Sequence, residues 1–173
     1  MKTPHRTAKV EMLCIQHNCA RSYEWTMAVL ETGISEGADV VCIQEPVKSR
    51  AIRHPGFHLI WPADPNGRTL TAIRVDRKIE INIREDLAQE SLGDVQVFDL
   101  LIQENKQKRK VRLVNVYCQA VFGDNSSRRP AESIECDAVM GSAPRTTIIC
   151  GDMNAHSQRW DNNVRLPQRA ELW

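Results

Sequence analysis

The sequence has no Cys-x-x-Cys pair, and no run in it approaches the roughly 20 apolar residues that a membrane-spanning helix needs. Its first nine residues are basic and polar, with no apolar stretch behind them like that of a secretory leader. The chain is therefore expected to be soluble and intracellular, nuclear or cytoplasmic, with no membrane partner. Aromatic residues are scarce at 5%, and neither charge sign is in excess, the net charge being +1. A near-neutral total can hide a basic face beside an acidic site, so charge alone excludes no partner. The six cysteines are Cys14, Cys19, Cys42, Cys118, Cys136 and Cys150, spread so widely that no disulfide framework is expected. Cys14, Cys42 and Cys150 sit in short apolar runs, where a free thiol acts as a small buried hydrophobe. Cys14, His17 and Cys19 have no second ligand pair at finger spacing, so no zinc site is expected there.

What remains is an ordinary globular composition, 42% hydrophobic and 26% charged, on a chain of 173 residues that can bury one core. No internal repeat, low-complexity tract or linker divides it. One domain is expected over residues 11–173, preceded by an extension over 1–10. Residues 11–17 carry an apolar run typical of a buried strand. Ser22 is a helix cap, and the helix after it would bury Met27, Leu30 and Ile34, with Gly33 and Gly37 ending it. Asp39 leads into Val40-Val41-Cys42-Ile43, a strand buried on both faces. Strand, helix and strand in this order predict a layered α/β architecture.

The middle of the chain reads as β-structure. Runs at 57–61, 69–75 and 78–83 are rich in β-branched residues, and Pro62, Pro65, Asn66 and Gly67 punctuate the first two. Runs at 94–103 and 111–117 form an antiparallel hairpin around a polar stretch at 104–110. Lys106, Lys108, Arg109 and Lys110 make its tip basic, which fits a solvated turn better than a nucleic-acid contact. A loop at 123–129, a short helix at 130–140, a last strand at 146–150 and a helix-forming end at 168–173 complete the reading.

Polar groups stand at the ends of these apolar strands: Asn18, Glu45, Tyr117, and Asp152 with Asn154. Taken singly, each has a plain structural reading as a turn cap, a solvated loop acid or turn residues after glycine. In layered α/β folds, however, strand ends present side chains to a shared cleft.

Together the segments Gln16-His17-Asn18, Ile43-Gln44-Glu45-Pro46, Asn115-Val116-Tyr117 and Gly151-Asp152-Met153-Asn154-Ala155-His156, with Trp160 four residues on, form an ordered set. This set resembles the endonuclease/exonuclease/phosphatase superfamily. More narrowly it looks like the endonuclease domain of non-LTR retrotransposon reverse transcriptases, in particular the fungal kind. That domain carries similar Gln-x-Asn-x-x-Arg-Ser and Gly-Asp-Phe-Asn-Ala-His signatures. The resemblance runs from about Glu11 to Trp173. It implies a DNase I-like fold, an α/β sandwich of two mostly antiparallel sheets flanked by helices and incomplete at the C-terminus. It also implies hydrolysis of DNA phosphodiester bonds with Mg²⁺ or Mn²⁺. By the same resemblance Glu45 is the principal metal ligand and Asn18 supports it. Asp152 orients or activates water, Asn154 holds that aspartate and touches the phosphate, and Tyr117 donates to a phosphate oxygen. His156 and Trp160 would pack behind them.

The chain also departs from the family. Met153 stands for the usual phenylalanine, a tolerable apolar exchange. Ser157 stands where a second histidine is common. The family's C-terminal Ser-Asp-His motif has no counterpart before Trp173. Losing a general acid–base group typically costs about 10²–10⁴-fold in rate, so impaired turnover is expected of the isolated chain. Two alternatives stay open: a catalytically inactive remnant or gene fragment, and a phosphatase acting on a small or lipid phosphoester. The Arg128-Arg129 pair suits any polyanion.

Overall fold

A computed structural model describes residues 12–88, 93–104, 107–118 and 146–154. The expected loop at 123–129, the helices at 130–140 and 168–173, and Arg128, Arg129, His156, Ser157 and Trp160 lie outside the described residues.

Strand β1 (Cys14–Asn18) leads to helix α1 (Tyr23–Ser35) and strand β2 (Val40–Gln44), the expected strand–helix–strand unit. Strands β3 (Phe57–Ile60), β4 (Thr69–Arg74) and β5 (Ile79–Ile83) follow, then β6 (Val95–Glu104), β7 (Gln107–Tyr117) and β8 (Thr147–Asp152). They form two four-stranded sheets, ordered β1-β2-β4-β3 and β5-β6-β7-β8. In the first sheet β1 and β2 are parallel, and in the second β7 and β8 are; the other pairings are antiparallel.

Ser22 caps α1 as expected, its hydroxyl accepting the Trp25 N–H at 3.1 Å. The buried face of the helix is Thr26, Val29, Leu30 and Gly33, with Met27 and Ile34 at its margins. Gly33 does not end the helix. It lies inside the last turn, where a Cβ would stand 2.8 Å from Val41 Cγ2, so glycine is what lets α1 approach β2. Gly37, with φ of 74°, is the residue that turns the chain away.

Period-two alternation sorts the strands between layers. In β2, Val41 and Ile43 face α1 with Phe57, Leu70 and Ala72, while Val40 and Cys42 face the second sheet. There Val40, Cys42 and Ile73 meet Phe98, Leu100 and Leu113, which closes the sandwich. Fully burying each large apolar side chain contributes about 1.5–3 kcal/mol. Val40–Gln44 is buried throughout, matching the unbroken apolar run 40–43, with the polar Gln44 buried at its end.

The hairpin differs from its expectation in one respect. Its ladder continues through the basic stretch, with Leu101 opposite Lys110, Ile102 opposite Arg109 and Gln103 opposite Lys108. Its cations meet partners on neighbouring strands and beside them: Lys108 bonds Glu80 at 2.7 Å, Lys110 pairs with Asp99 at 3.0 Å, and Arg109 donates to Thr146 at 3.0 Å. These cations serve the sheet.

Likewise β8 runs two residues further than the expected 146–150, ending at Asp152. Gly151 permits that extension. A Cβ there would lie 1.9 Å from the Val116 carbonyl oxygen. Gly151→Ala is therefore expected to part β7 from β8 and destabilise the fold by about 1–3 kcal/mol. A lower urea midpoint with an unchanged slope would register it; an unchanged midpoint would refute it.

Candidate active site

The strand ends of both sheets meet at one edge of the sandwich. Below them, polar side chains occupy inward positions where alternation calls for hydrophobes. Gln16, at an exposed position of β1, donates to the buried Gln44 on β2, and Gln44 donates to Asn115 on β7 at 2.6 Å. Asn115 in turn donates to the Leu70 carbonyl and the Thr71 hydroxyl, each at 3.0 Å. Thr71 donates to Gln96 at 2.9 Å, and Gln96 to the Ile60 carbonyl at 2.9 Å. Gln44, Thr71, Gln96 and Asn115 are buried, so this chain of bonds fixes the two sheets relative to one another.

Above this layer Asn18, Glu45, Tyr117, Asp152 and Asn154 come together. Asn18 Nδ2 donates to Asp152 Oδ2 at 2.7 Å and lies 3.4 Å from Glu45 Oε2, so one amide group bridges both carboxylates. Its Oδ1 accepts the Ala20 N–H at 2.8 Å. The other oxygen of Asp152 accepts the Asn154 backbone N–H at 3.0 Å, and Asn154 Nδ2 donates to the Cys118 carbonyl at 2.7 Å. Asn154 thus holds the aspartate through its backbone.

The loops carrying these residues are tied down by backbone bonds. Arg21 N–H donates to the Glu45 carbonyl at 2.7 Å, Glu45 N–H to the Arg68 carbonyl at 2.7 Å, and Cys118 N–H to the Asp152 carbonyl at 2.7 Å. Thr26 on α1 accepts the Val47 N–H at 3.1 Å, locking the turn after Glu45. Among the described residues, the non-glycine positions with positive φ are Ala20, Arg21, Glu45 and Asn154. All four lie in or beside this cluster. Such conformations cost of order 1–3 kcal/mol each and persist where the surroundings over-determine them.

Tyr117 is buried beneath the Arg68 guanidinium, which stands 5.3 Å from its ring centre. Burial pushes the phenol above its ordinary range; Arg68 pulls it down, and the Glu45 carboxylate adds to the rise. Tyr117 is thus a protonated donor at neutral pH. Arg21 Nε lies 3.6 Å from Glu45 Oε1, at a partly exposed spot where such a pair contributes little. Beside Glu45 opens a cavity of about 210 Å³ lined by Arg21, Lys48, Arg50, Trp61 and Arg68, a cationic wall. A second cavity of about 250 Å³, between Ile60, Pro62, Ile83 and Val97, contains none of the strand-end residues.

Arg68 and the buried amide chain carry no role in the sequence reading. Gln16, Gln44 and Asn115 stand within the ordered segments, where they are given no role of their own. Arg68, in the turn before β4, lies outside these segments. The grouping of Cys14, His17 and Cys19 does not form: the His17 ring packs 5.9 Å from Trp25, while the Cys14 sulfur lies 4.0 Å from that of Cys42.

No protein-family model matches the sequence, and none of the curated proteins does. Solved structures do resemble the fold. The endonuclease domain of TRAS1, a telomere-specific non-LTR retrotransposon, is similar at a TM-score of 0.61 and 20% identity, over 87% of this chain. The catalytic domain of Xenopus laevis APE2 is similar at 0.55 and 15% over 84%. An AP endonuclease from Archaeoglobus fulgidus is similar at 0.55 and 18% over 86%. The chain spans 62%, 59% and 62% of those three chains, respectively. Such likenesses are of fold: two mixed sheets packed face to face, the DNase I-like arrangement.

Proposed function

We propose that this chain, which has the fold of the endonuclease/exonuclease/phosphatase superfamily, is a divalent-cation-dependent phosphodiesterase domain that cuts DNA and derives from a retrotransposon endonuclease. The observation that carries the reading is the convergence of Asn18, Glu45 and Asp152, the outer two 134 residues apart in sequence. The Glu45 carboxylate suits a hard cation such as Mg²⁺ or Mn²⁺, and Asn18 would support it once its amide turned from the arrangement in which Nδ2 faces the two carboxylates and Oδ1 accepts the Ala20 N–H. When bound, that ion supplies neutralisation of the charge that builds on the phosphate.

The chain's own residues supply the rest. Asp152, steadied by Asn18 and by the Asn154 N–H, orients a water and accepts its proton. Tyr117, kept protonated by burial, donates to a phosphate oxygen as a preorganised hydrogen-bond donor. Asn154 keeps Asp152 in place and offers its amide to the phosphate. The cationic wall beside Glu45 suits the flanking phosphates of a nucleic-acid strand.

Supercoiled plasmid tests this. The chain is expected to nick it with Mg²⁺ or Mn²⁺ but not with EDTA, and Glu45→Ala and Asp152→Ala are expected to fall to background. Equal nicking by all three proteins would contradict the reading.

A further inference from the structure

Two to four residues before the strand-end cluster, on the same three strands, lies a second cluster that the proposed chemistry does not use. Cys14 on β1, Cys42 on β2 and Cys150 on β8 bring their sulfur atoms within 4.8 Å of one another, with Cys14 and Cys42 at 4.0 Å. By strand alternation each shares a face with a polar residue above it: Cys14 with Asn18, Cys42 with Gln44 and Cys150 with Asp152. Both sheets contribute, so the convergence is tertiary. The walls are apolar, including Val40, Phe98 and Leu113.

One buried thiol is a small hydrophobe, but three that converge form a donor set. Thiolate–metal bonds of about 2.3 Å put the sulfurs of one ion roughly 3.8–4 Å apart, close to the spacing already present. Hydrogen bonds from Cys150 and Cys42 pull Cys14 down, the contacts with Cys14 and Cys150 push Cys42 up, and the contact with Cys14 together with burial pushes Cys150 up.

We propose that Cys14, Cys42 and Cys150 form a three-thiolate site for a soft cation, Cu⁺ or Zn²⁺, separate from the oxygen-donor layer above it. Sulfur donors select such ions, whereas carboxylate and amide oxygens select Mg²⁺ and Mn²⁺, so the two layers take different metals. No fourth histidine, cysteine or carboxylate joins the group among the described residues. Cu⁺ is satisfied by three sulfurs; Zn²⁺ would complete its four-coordinate shell with water. Binding exchanges S–H bonds for S–metal bonds and releases the protons to solvent. It also ties β1, β2 and β8 together, so the bound ion stabilises the fold.

The test uses the full chain, reduced and free of metal, titrated anaerobically with Cu⁺ held by a weak chelator, and separately with Zn²⁺ and Mg²⁺. Cu⁺ or Zn²⁺ is expected to bind at one equivalent, with a sulfur-to-metal charge-transfer band and a raised Tm. Mg²⁺ is expected to give neither. Cys14→Ser and Cys150→Ser, at the half-buried positions, are expected to weaken binding on the order of 100-fold or more, while Cys118→Ser is not. Absence of the band with both soft ions, or equal affinity in wild type and Cys14→Ser, would overturn the proposal. Neither result depends on whether the chain cuts DNA.

Discussion

Asp152→Asn is expected to lower Mg²⁺-dependent plasmid nicking by about 10²–10⁴-fold while leaving Mn²⁺ affinity within a few-fold. Glu45→Gln is expected to do the reverse, losing affinity first. The distinction follows from geometry. Asp152 is clamped, one oxygen by Asn18 and the other by the Asn154 N–H, an arrangement that an asparagine can keep in part. An amide there cannot take a proton from water, so chemistry is lost while the scaffold stays. Glu45 is held in a positive-φ turn between Gln44 and Pro46, where its backbone is bonded on both sides and its carboxylate faces the cluster. Removing its charge removes the main attraction for a cation. Activity measured against Mn²⁺ concentration separates the two roles: excess Mn²⁺ restores part of the rate in Glu45→Gln and none in Asp152→Asn. If both variants respond alike to excess metal, the division of labour is wrong.

The largest stability effect is expected away from the site, at Asp99. This carboxylate is 3% exposed and receives Arg112 Nε at 2.8 Å and Nη2 at 3.1 Å, the Arg112 side chain being fully buried. Arg84 at 3.1 Å and Lys110 at 3.0 Å complete the group, but both are partly solvated and count for less. Burial alone would raise the Asp99 carboxyl; the cations outweigh it and hold it well below the carboxylate range. Asp99→Ala removes the carboxylate that meets the buried Arg112 guanidinium at two of its nitrogens, which costs about 3–5 kcal/mol. That is a large share of the roughly 5–15 kcal/mol that keeps a domain folded. The double replacement Asp99→Leu with Arg112→Met removes both charges and is expected to be near neutral or stabilising. Because the folded-state carboxyl is depressed, its contribution is complete above about pH 4 and is lost as pH falls further toward the depressed value. Urea midpoints of wild type and Asp99→Asn should therefore converge as the solution is acidified from pH 5. A gap that widens would show that the sign is wrong.

Local signals in the sequence account for much of this molecule. Ser22, the apolar runs and the period-two alternation place the strand–helix–strand unit and the hairpin, because each depends on neighbours along the chain. Asn18, Glu45, Tyr117 and Asp152 were recognisable since each interrupts an apolar run at its end, and their order matched one family. Features made by tertiary convergence were not. Cys14, Cys42 and Cys150 each look like core filler on their own strand, and only the packing of two sheets brings the sulfurs together. Gly33 resembled a helix stop because glycine is a poor helix former; its reason lies across the layer in Val41. The basic stretch at the hairpin tip read as a turn because its partners Glu80, Asp99 and Thr146 are remote in sequence. Arg68 became part of the site for the same reason.

The proposed chemistry requires the ends of β1, β2 and β8 to form one layer around a cation held by Glu45 and Asn18. Paramagnetic broadening by Mn²⁺ in amide NMR spectra addresses that layer directly, whether or not the chain turns over. Substoichiometric Mn²⁺ is expected to erase the signals of Asn18, Glu45, Gly151 and Asp152 selectively, to spare those of Arg74 and Ile83, and to lose this pattern in Glu45→Ala. Broadening that is absent, spread evenly over the chain, or unchanged in Glu45→Ala would contradict it.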